Sequence, residues 1–139
     1  MNAQQLRVML VEDHAVLRDI LQEFVTNLSQ VAVCRTSSSA EAAIEDVEQS
    51  EPDLMLIDLS LPGMSGIDLV RTLKKSHPAL RCAILSGHRS PSYARQAMEA
   101  GARGYLLKGD PAEIERGMAA IVDGRKFVSK GLAEGLGRA

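Results

Sequence analysis

Apolar and polar residues in this chain follow two alternating rhythms. Short, nearly unbroken runs of Val, Leu, Ile and Met occupy Leu6–Val11, Val31–Arg35, Leu54–Asp58, Leu80–Leu85 and Arg103–Leu107. Between the runs, apolar residues recur every third or fourth position. One such face is Leu17, Ile20, Leu21, Phe24, Val25 and Leu28; others are Ala40, Ala43, Ile44 and Val47, then Ile67, Val70 and Leu73, and last Ile114, Gly117, Met118, Ile121 and Val122. Short apolar runs bounded by turn residues read as strands buried on both faces, and the longer period reads as amphipathic helix. Strand and helix alternate along the chain, which predicts an α/β fold: a five-stranded parallel sheet with helices on both faces, built of five (βα) units.

Cap and breaker residues sharpen these limits. Ser38 and Glu41 have the S-x-x-E spacing of a capping box ahead of the second helix. The loop Leu61-Pro62-Gly63-Met64 leads to Ser65, a good N-cap, and the helix it opens stops before His77-Pro78. Ser90-Pro91 opens a short helix ending at Gly101, and Asp110-Pro111-Ala112-Glu113 opens the last, which Gly124 closes. Residues 1–124 are thus expected to form one domain. Residues 125–139, rich in glycine and without periodicity, are expected to be a C-terminal tail or linker stub.

Composition narrows the class. A chain of 139 residues can bury one core, and with 3% aromatic residues that core must be aliphatic. A net charge of −2 gives no electrostatic reason to expect a nucleic-acid or membrane surface. The first residues lack the apolar stretch of a signal peptide, so a cytoplasmic location with no membrane partner is expected. Cys34 and Cys82 fall inside predicted strands and read as buried thiols. No CxxC pair occurs, and His14, His77 and His88 show no ligand spacing.

The chemistry gathers where strands end. Glu12-Asp13 follow the first run, Asp58 ends the third, Ser86 follows the fourth and Lys108 follows the fifth. Open parallel sheets bind ligands at the carboxyl ends of their strands, so these groups should share one edge. Singly, each has a plainer reading: Glu12-Asp13 as helix caps, Lys108 as a solvated side chain, Ser86-Gly87 as a turn. Together, three carboxylates need a counter-charge, which Mg²⁺ with a few carboxylates, waters and phosphoryl oxygens would supply. Asp58 would then be a nucleophile toward phosphorus, with Lys108 a point-charge partner and Ser86 a hydroxyl donor to the phosphoryl oxygens.

These stretches resemble the receiver domain of bacterial two-component response regulators over about residues 6–124. The resemblance rests on Val11-Glu12-Asp13, the run from Asp58 to Gly66, Leu85-Ser86-Gly87, and Gly101-Ala102-Arg103-Gly104-Tyr105-Leu106-Leu107-Lys108. The last run and Gly124-Arg125-Lys126-Phe127-Val128-Ser129 look like the NarL/LuxR-type subgroup. The family implies a flavodoxin-like sheet of order 2-1-3-4-5. It implies that Asp58 accepts phosphate from a histidine kinase or phosphotransfer protein, and that Glu12, Asp13, Asp58 and the Ser60 backbone carbonyl hold Mg²⁺. It further implies Ser86 as switch hydroxyl and Tyr105 as switch aromatic moving from exposed to buried. Members of the subgroup usually carry a separate C-terminal DNA-binding helix-turn-helix, so the output is expected through such a domain or through a protein partner. Homodimerisation on phosphorylation is compatible with the subgroup, though no residue pattern marks it. Gly109 stands where many members have proline, and Ser86 replaces the commoner threonine. His88, two positions after Ser86, is a candidate for tuning water access to the phosphoryl group.

The expected activity is a switch that phosphorylates and dephosphorylates itself without turning over an external substrate. A phosphatase of the haloacid-dehalogenase type would need a second acid two residues after Asp58, where Ser60 stands. A flavodoxin-like electron carrier would need a Ser/Thr-rich phosphate loop where Glu12-Asp13-His14 stands. A degenerate receiver acting as a constitutive interaction domain would not need the full set of acids, hydroxyl and lysine.

Overall fold

The computed structural model describes residues 5–130 and Leu132. Strand and helix alternate as β1 (Leu6–Val11), α1 (Ala15–Thr26), β2 (Val31–Ser37), α2 (Ala40–Ser50), β3 (Leu54–Asp58), α3 (Gly66–Ser76), β4 (Arg81–Ser86), α4 (Pro91–Ala100), β5 (Gly104–Leu107), α5 (Pro111–Val122) and β6 (Phe127–Val128). The strands form one sheet of order β2-β1-β3-β4-β5-β6, all pairs parallel. The five expected strands hold their order. The sixth, Phe127–Val128, lies in the stretch expected to be tail or linker and pairs with β5, so the sheet continues past residue 124.

Side chains alternate across the pleat and divide the core in two. Met9, Val11, Met55, Ile57, Ile84 and Tyr105 face α2, α3 and α4, whereas Val8, Leu10, Leu54, Leu56, Leu85 and Leu106 face α1 and α5. β3 is buried at every residue, Asp58 included. A carboxylate ending the most buried strand is costly unless it is paired. Cys34 and Cys82 lie in β2 and β4 and both are free thiols. Among the described residues no helix is long and apolar enough to cross a membrane.

Three caps are the expected ones: Ser65, Ser90 and Asp110 accept from the backbone N–H of Asp68, Tyr93 and Glu113. Two ends differ. The second helix is capped by Ser39, whose Oγ accepts from Ala42 N at 3.0 Å, while Ser38 stays exposed. Glu41 does not close a box with Ser38; its Oε2 accepts from Met64 N at 3.4 Å, tying α2 to the loop after β3. At α1 the cap is His14, whose Nδ1 faces Leu17 N at 3.4 Å, which leaves the acids before it free of the capping role.

Candidate functional site

Backbone pairing brings the strand ends together. Glu12 N donates to Ser37 O, Leu59 N to Leu85 O, and Lys108 N to Ser86 O, each at 3.0 Å. These bonds align the residues following β1, β3 and β5 along one edge of the sheet. Gly66, the first residue of α3, lets that helix close tightly behind the acceptor strand. Its N–H donates to Leu59 O at 3.1 Å, and a Cβ there would collide with the Asp58 carbonyl oxygen. Gly63, at φ +70°, makes the left-handed turn of the intervening loop.

Glu12, Asp13 and Asp58 each offer a carboxylate oxygen within 4.8 Å of the others. Glu12 and Asp58 are buried and Asp13 is exposed, so the cluster opens to solvent on one side. Lys108 Nζ lies 2.7 Å from Asp58 Oδ1 and 2.9 Å from Glu12 Oε1. Glu12 Oε2 accepts from His14 N at 3.2 Å, but the buried Oε1 has no well-directed hydrogen bond despite the nearby ammonium. Ser60, two residues past Asp58, is exposed in the loop at the same edge.

The charges perturb one another. Burial pushes the Glu12 carboxyl up, and neighbouring Asp58 adds to this, while the bonds to Lys108 and His14 oppose it. Burial pulls Lys108 down, but its bonds to Asp58 and Glu12 and their charges outweigh that and hold the ammonium above its ordinary value. Both shifts favour retaining protons, as expected of a site with more carboxylates than cations. The donor set is all hard oxygen, carries more carboxylates than the one ammonium can neutralise and is open on one side. It fits a small hard divalent cation that keeps part of its water shell.

Ser86 is fully buried, and its Oγ accepts from His88 N at 2.9 Å. Tyr105 also stands fully buried, its OH donating to His88 O at 2.9 Å. The phenol lies in the buried position that the resemblance implies for one state of a switch aromatic. Burial raises its pKa, partly offset by its contact with Ser86. The His88 ring meets Tyr93 edge-on, centroids 5.7 Å apart. Near Gly109 the chain turns through Asp110 N donating to Leu107 O at 3.3 Å, and no described peptide bond is cis.

Sequence reasoning missed one positioning side chain here. Arg18 reaches back from α1 to donate through Nη1 to the Glu12 carbonyl at 2.8 Å. Nothing in helical periodicity marks an arginine on the flank of a helix as pointing toward a strand end.

A sequence profile of the response regulator receiver domain matches residues 8–122. The chain belongs to the response regulator receiver family. It is 32% identical to the transcriptional activator protein ExaE of Pseudomonas putida over 127 residues, covering 91% of this chain and 59% of that protein. To the transcriptional regulatory protein DegU of Brevibacillus brevis it is 28% identical, covering 94% of this chain and 52% of the relative. The chain thus spans little more than half the length of these relatives. Among solved structures, a LuxR-family two-component response regulator from Aurantimonas sp. SI85-9A1 superimposes with a TM-score of 0.92 at 32% identity, covering 97% of each chain. The receiver domain of the response regulator NarL from Mycobacterium tuberculosis gives 0.83 at 27% identity, covering 88% of this chain and all of that one. This receiver therefore sits in the NarL/LuxR-type subgroup.

Proposed function

We propose that this receiver is a phosphorylation-controlled switch whose acceptor is Asp58. One observation carries the reading: at a single sheet edge, Glu12, Asp13 and Asp58 cluster beneath the Lys108 ammonium. An Asp58 carboxylate oxygen attacks the donor phosphorus, a new P–O bond forms, and the donor's own bond to phosphorus breaks with its electron pair leaving on the donor. Lys108 exchanges its carboxylate contact for the incoming phosphoryl oxygens, and Ser86 Oγ donates to one of them. Glu12, Asp13, Asp58 and the Ser60 carbonyl are the atoms that would hold Mg²⁺; when bound, it neutralises the carboxylates and the transferring group. Water later attacks the phosphorus of the acyl phosphate, the bond from phosphorus to the Asp58 oxygen breaks, inorganic phosphate leaves and Asp58 returns to its carboxylate; the only group handled is the one carried on Asp58 itself.

The donor is proposed to be a histidine kinase or a phosphotransfer protein. Val16 and Ile20, exposed one helical turn apart on α1, offer such a partner an apolar footing beside Glu12-Asp13. The names of the curated relatives support transcription control as the output, exerted through a DNA-binding domain separate from these residues. Cytoplasmic location follows from that role. Dimerisation on phosphorylation belongs to the same reading.

Intact mass measured with Mg²⁺ and acetyl phosphate tests the acceptor. A single added phosphoryl group in the wild type and none in Asp58→Ala is the expected result. Modification that persists in Asp58→Ala, or none in a folded wild type, rules out Asp58 as acceptor.

A further inference from the structure

The chain beyond α5 is seated with more care than a connector requires. Phe127 N donates to Arg103 O at 3.0 Å and Ser129 N to Tyr105 O at 3.1 Å, extending the parallel ladder along β5. Ser129 is fully buried, and its Oγ accepts from Leu107 N at 3.2 Å. A side chain thus takes over as acceptor where strand pairing ends. One residue on, Lys130 N donates to Glu113 Oε2 at 3.3 Å, and Leu132 is buried in the core layer that contains Tyr105.

Two glycines lie against this segment. A Cβ on Gly104 would stand 3.1 Å from the Phe127 carbonyl oxygen, and one on Gly117 would stand 3.0 Å from the Phe127 ring. The tightest contacts at these glycines are with Ile121 and Leu106, so they let β5 and α5 close on each other, and Phe127 packs against both. Spacing of this kind suits a permanent neighbour, since an empty seat would expose Leu106 and the β5 edge.

The segment grips the strand that carries the switch residues. On its β4 side, the end of β5 is held by Ser86, whose carbonyl accepts from Lys108 N. On its other side it is held by Ser129, bonded to both Leu107 and Tyr105. Ser86 and Lys108 are the two groups that turn toward a phosphoryl group on Asp58. Any shift they make acts on the Leu107–Lys108 peptide, and the peptide immediately before it, Leu106–Leu107, is the one whose N–H Ser129 holds.

We propose that residues 127–130, with Leu132, are the first output element of this receiver, a strap whose hold on β5 is set through Ser129 by the phosphorylation state of Asp58. The strap reads the state of the site at the sheet edge itself, alongside any change in the helices. This coupling rests on the proposed acceptor chemistry, and it is reciprocal: a loosened strap changes how tightly the site holds a phosphoryl group.

Hydrogen–deuterium exchange of the peptide spanning residues 125–132 tests it, in the chain treated with Mg²⁺ and acetyl phosphate and checked by intact mass on the same sample. An exchange rate changed by about fivefold or more on phosphorylation, and unchanged in Asp58→Ala, is expected for a locally opening element. A full mass addition with no change at 125–132 overturns the coupling and leaves the acceptor assignment standing. No mass addition overturns both. Ser129→Ala supplies the reciprocal arm through calorimetric binding of beryllofluoride with Mg²⁺. The expected result is an affinity shifted by about threefold or more, with Lys130→Ala unshifted because only its backbone bonds to Glu113. Wild-type affinity in a folded Ser129→Ala chain overturns the proposal.

Discussion

Lys108 spans the width of a strand to reach Asp58. Their strands, β5 and β3, are separated by β4, so the backbones lie about 10 Å apart at ordinary strand spacing. Only a long side chain closes that gap to the 2.7 Å contact between Nζ and Oδ1. The same ammonium lies 2.9 Å from Glu12 Oε1, and both carboxylates are buried.

Removing that cation should leave two buried carboxylates unpaired. Lys108→Ala is expected to lower stability by about 2 kcal/mol in metal-free buffer. Added Mg²⁺ should recover more stability in the variant than in the wild type, because it replaces a missing positive charge. Urea unfolding with and without Mg²⁺, and again with excess chelator, checks this; equal Mg²⁺ responses would show that Lys108 and the cation site are not electrostatically linked.

Gly66 owes its identity to the Asp58 carbonyl oxygen, against which a Cβ would collide. The obstacle is backbone on a central strand, so it cannot swing away. Gly66→Ala should cost about 2 kcal/mol through overpacking and displace Asp58 from its partners. Acetyl phosphate labelling should slow in the variant even at temperatures where circular dichroism reports a folded chain.

Ser38 and Ser39 make a paired test of helix capping. Ser39→Ala deletes the acceptor for Ala42 N and should cost about 1 kcal/mol. Ser38→Ala, at an exposed hydroxyl, should change thermal stability by less than about 0.5 kcal/mol. The reverse ranking would restore the S-x-x-E box read from spacing alone.

Cys82 sets part of the alkaline limit. Burial pushes its thiol from 9.0 up to about 12. The folded value is raised, so the contribution is intact below pH 9 and is lost as pH rises toward 12, where the unfolded chain ionises first. Between pH 9 and 10 wild-type stability should fall more steeply than that of Cys82→Ala, by about 1 kcal/mol per pH unit. Tyr105 and Lys108, also raised, add their losses above pH 10.0 and 10.5 in both proteins. Parallel curves from pH 9 to 10 would mean that the thiol is not protected in the fold.

Local pattern determined a large part of this receiver. Runs such as Leu54–Asp58 are buried on both faces, and an apolar residue every third or fourth position can serve only one side of a helix; both signals survive without knowledge of any partner. The convergence of Glu12, Asp13, Asp58, Ser86 and Lys108 at one edge follows from parallel strands with chemistry at their ends, whereas the sheet order is implied only by the family resemblance. Tertiary structure decided which of two adjacent serines caps α2, because Glu41 is drawn away to Met64. It decided that Tyr105 lies inside, because its hydroxyl finds the His88 carbonyl. It also decided that Phe127–Val128 is a strand: two residues carry no periodicity, and their pairing depends on the β5 edge at Gly104 and Tyr105. Each of those outcomes turns on a neighbour distant in sequence, whose position exists only once the chain is packed.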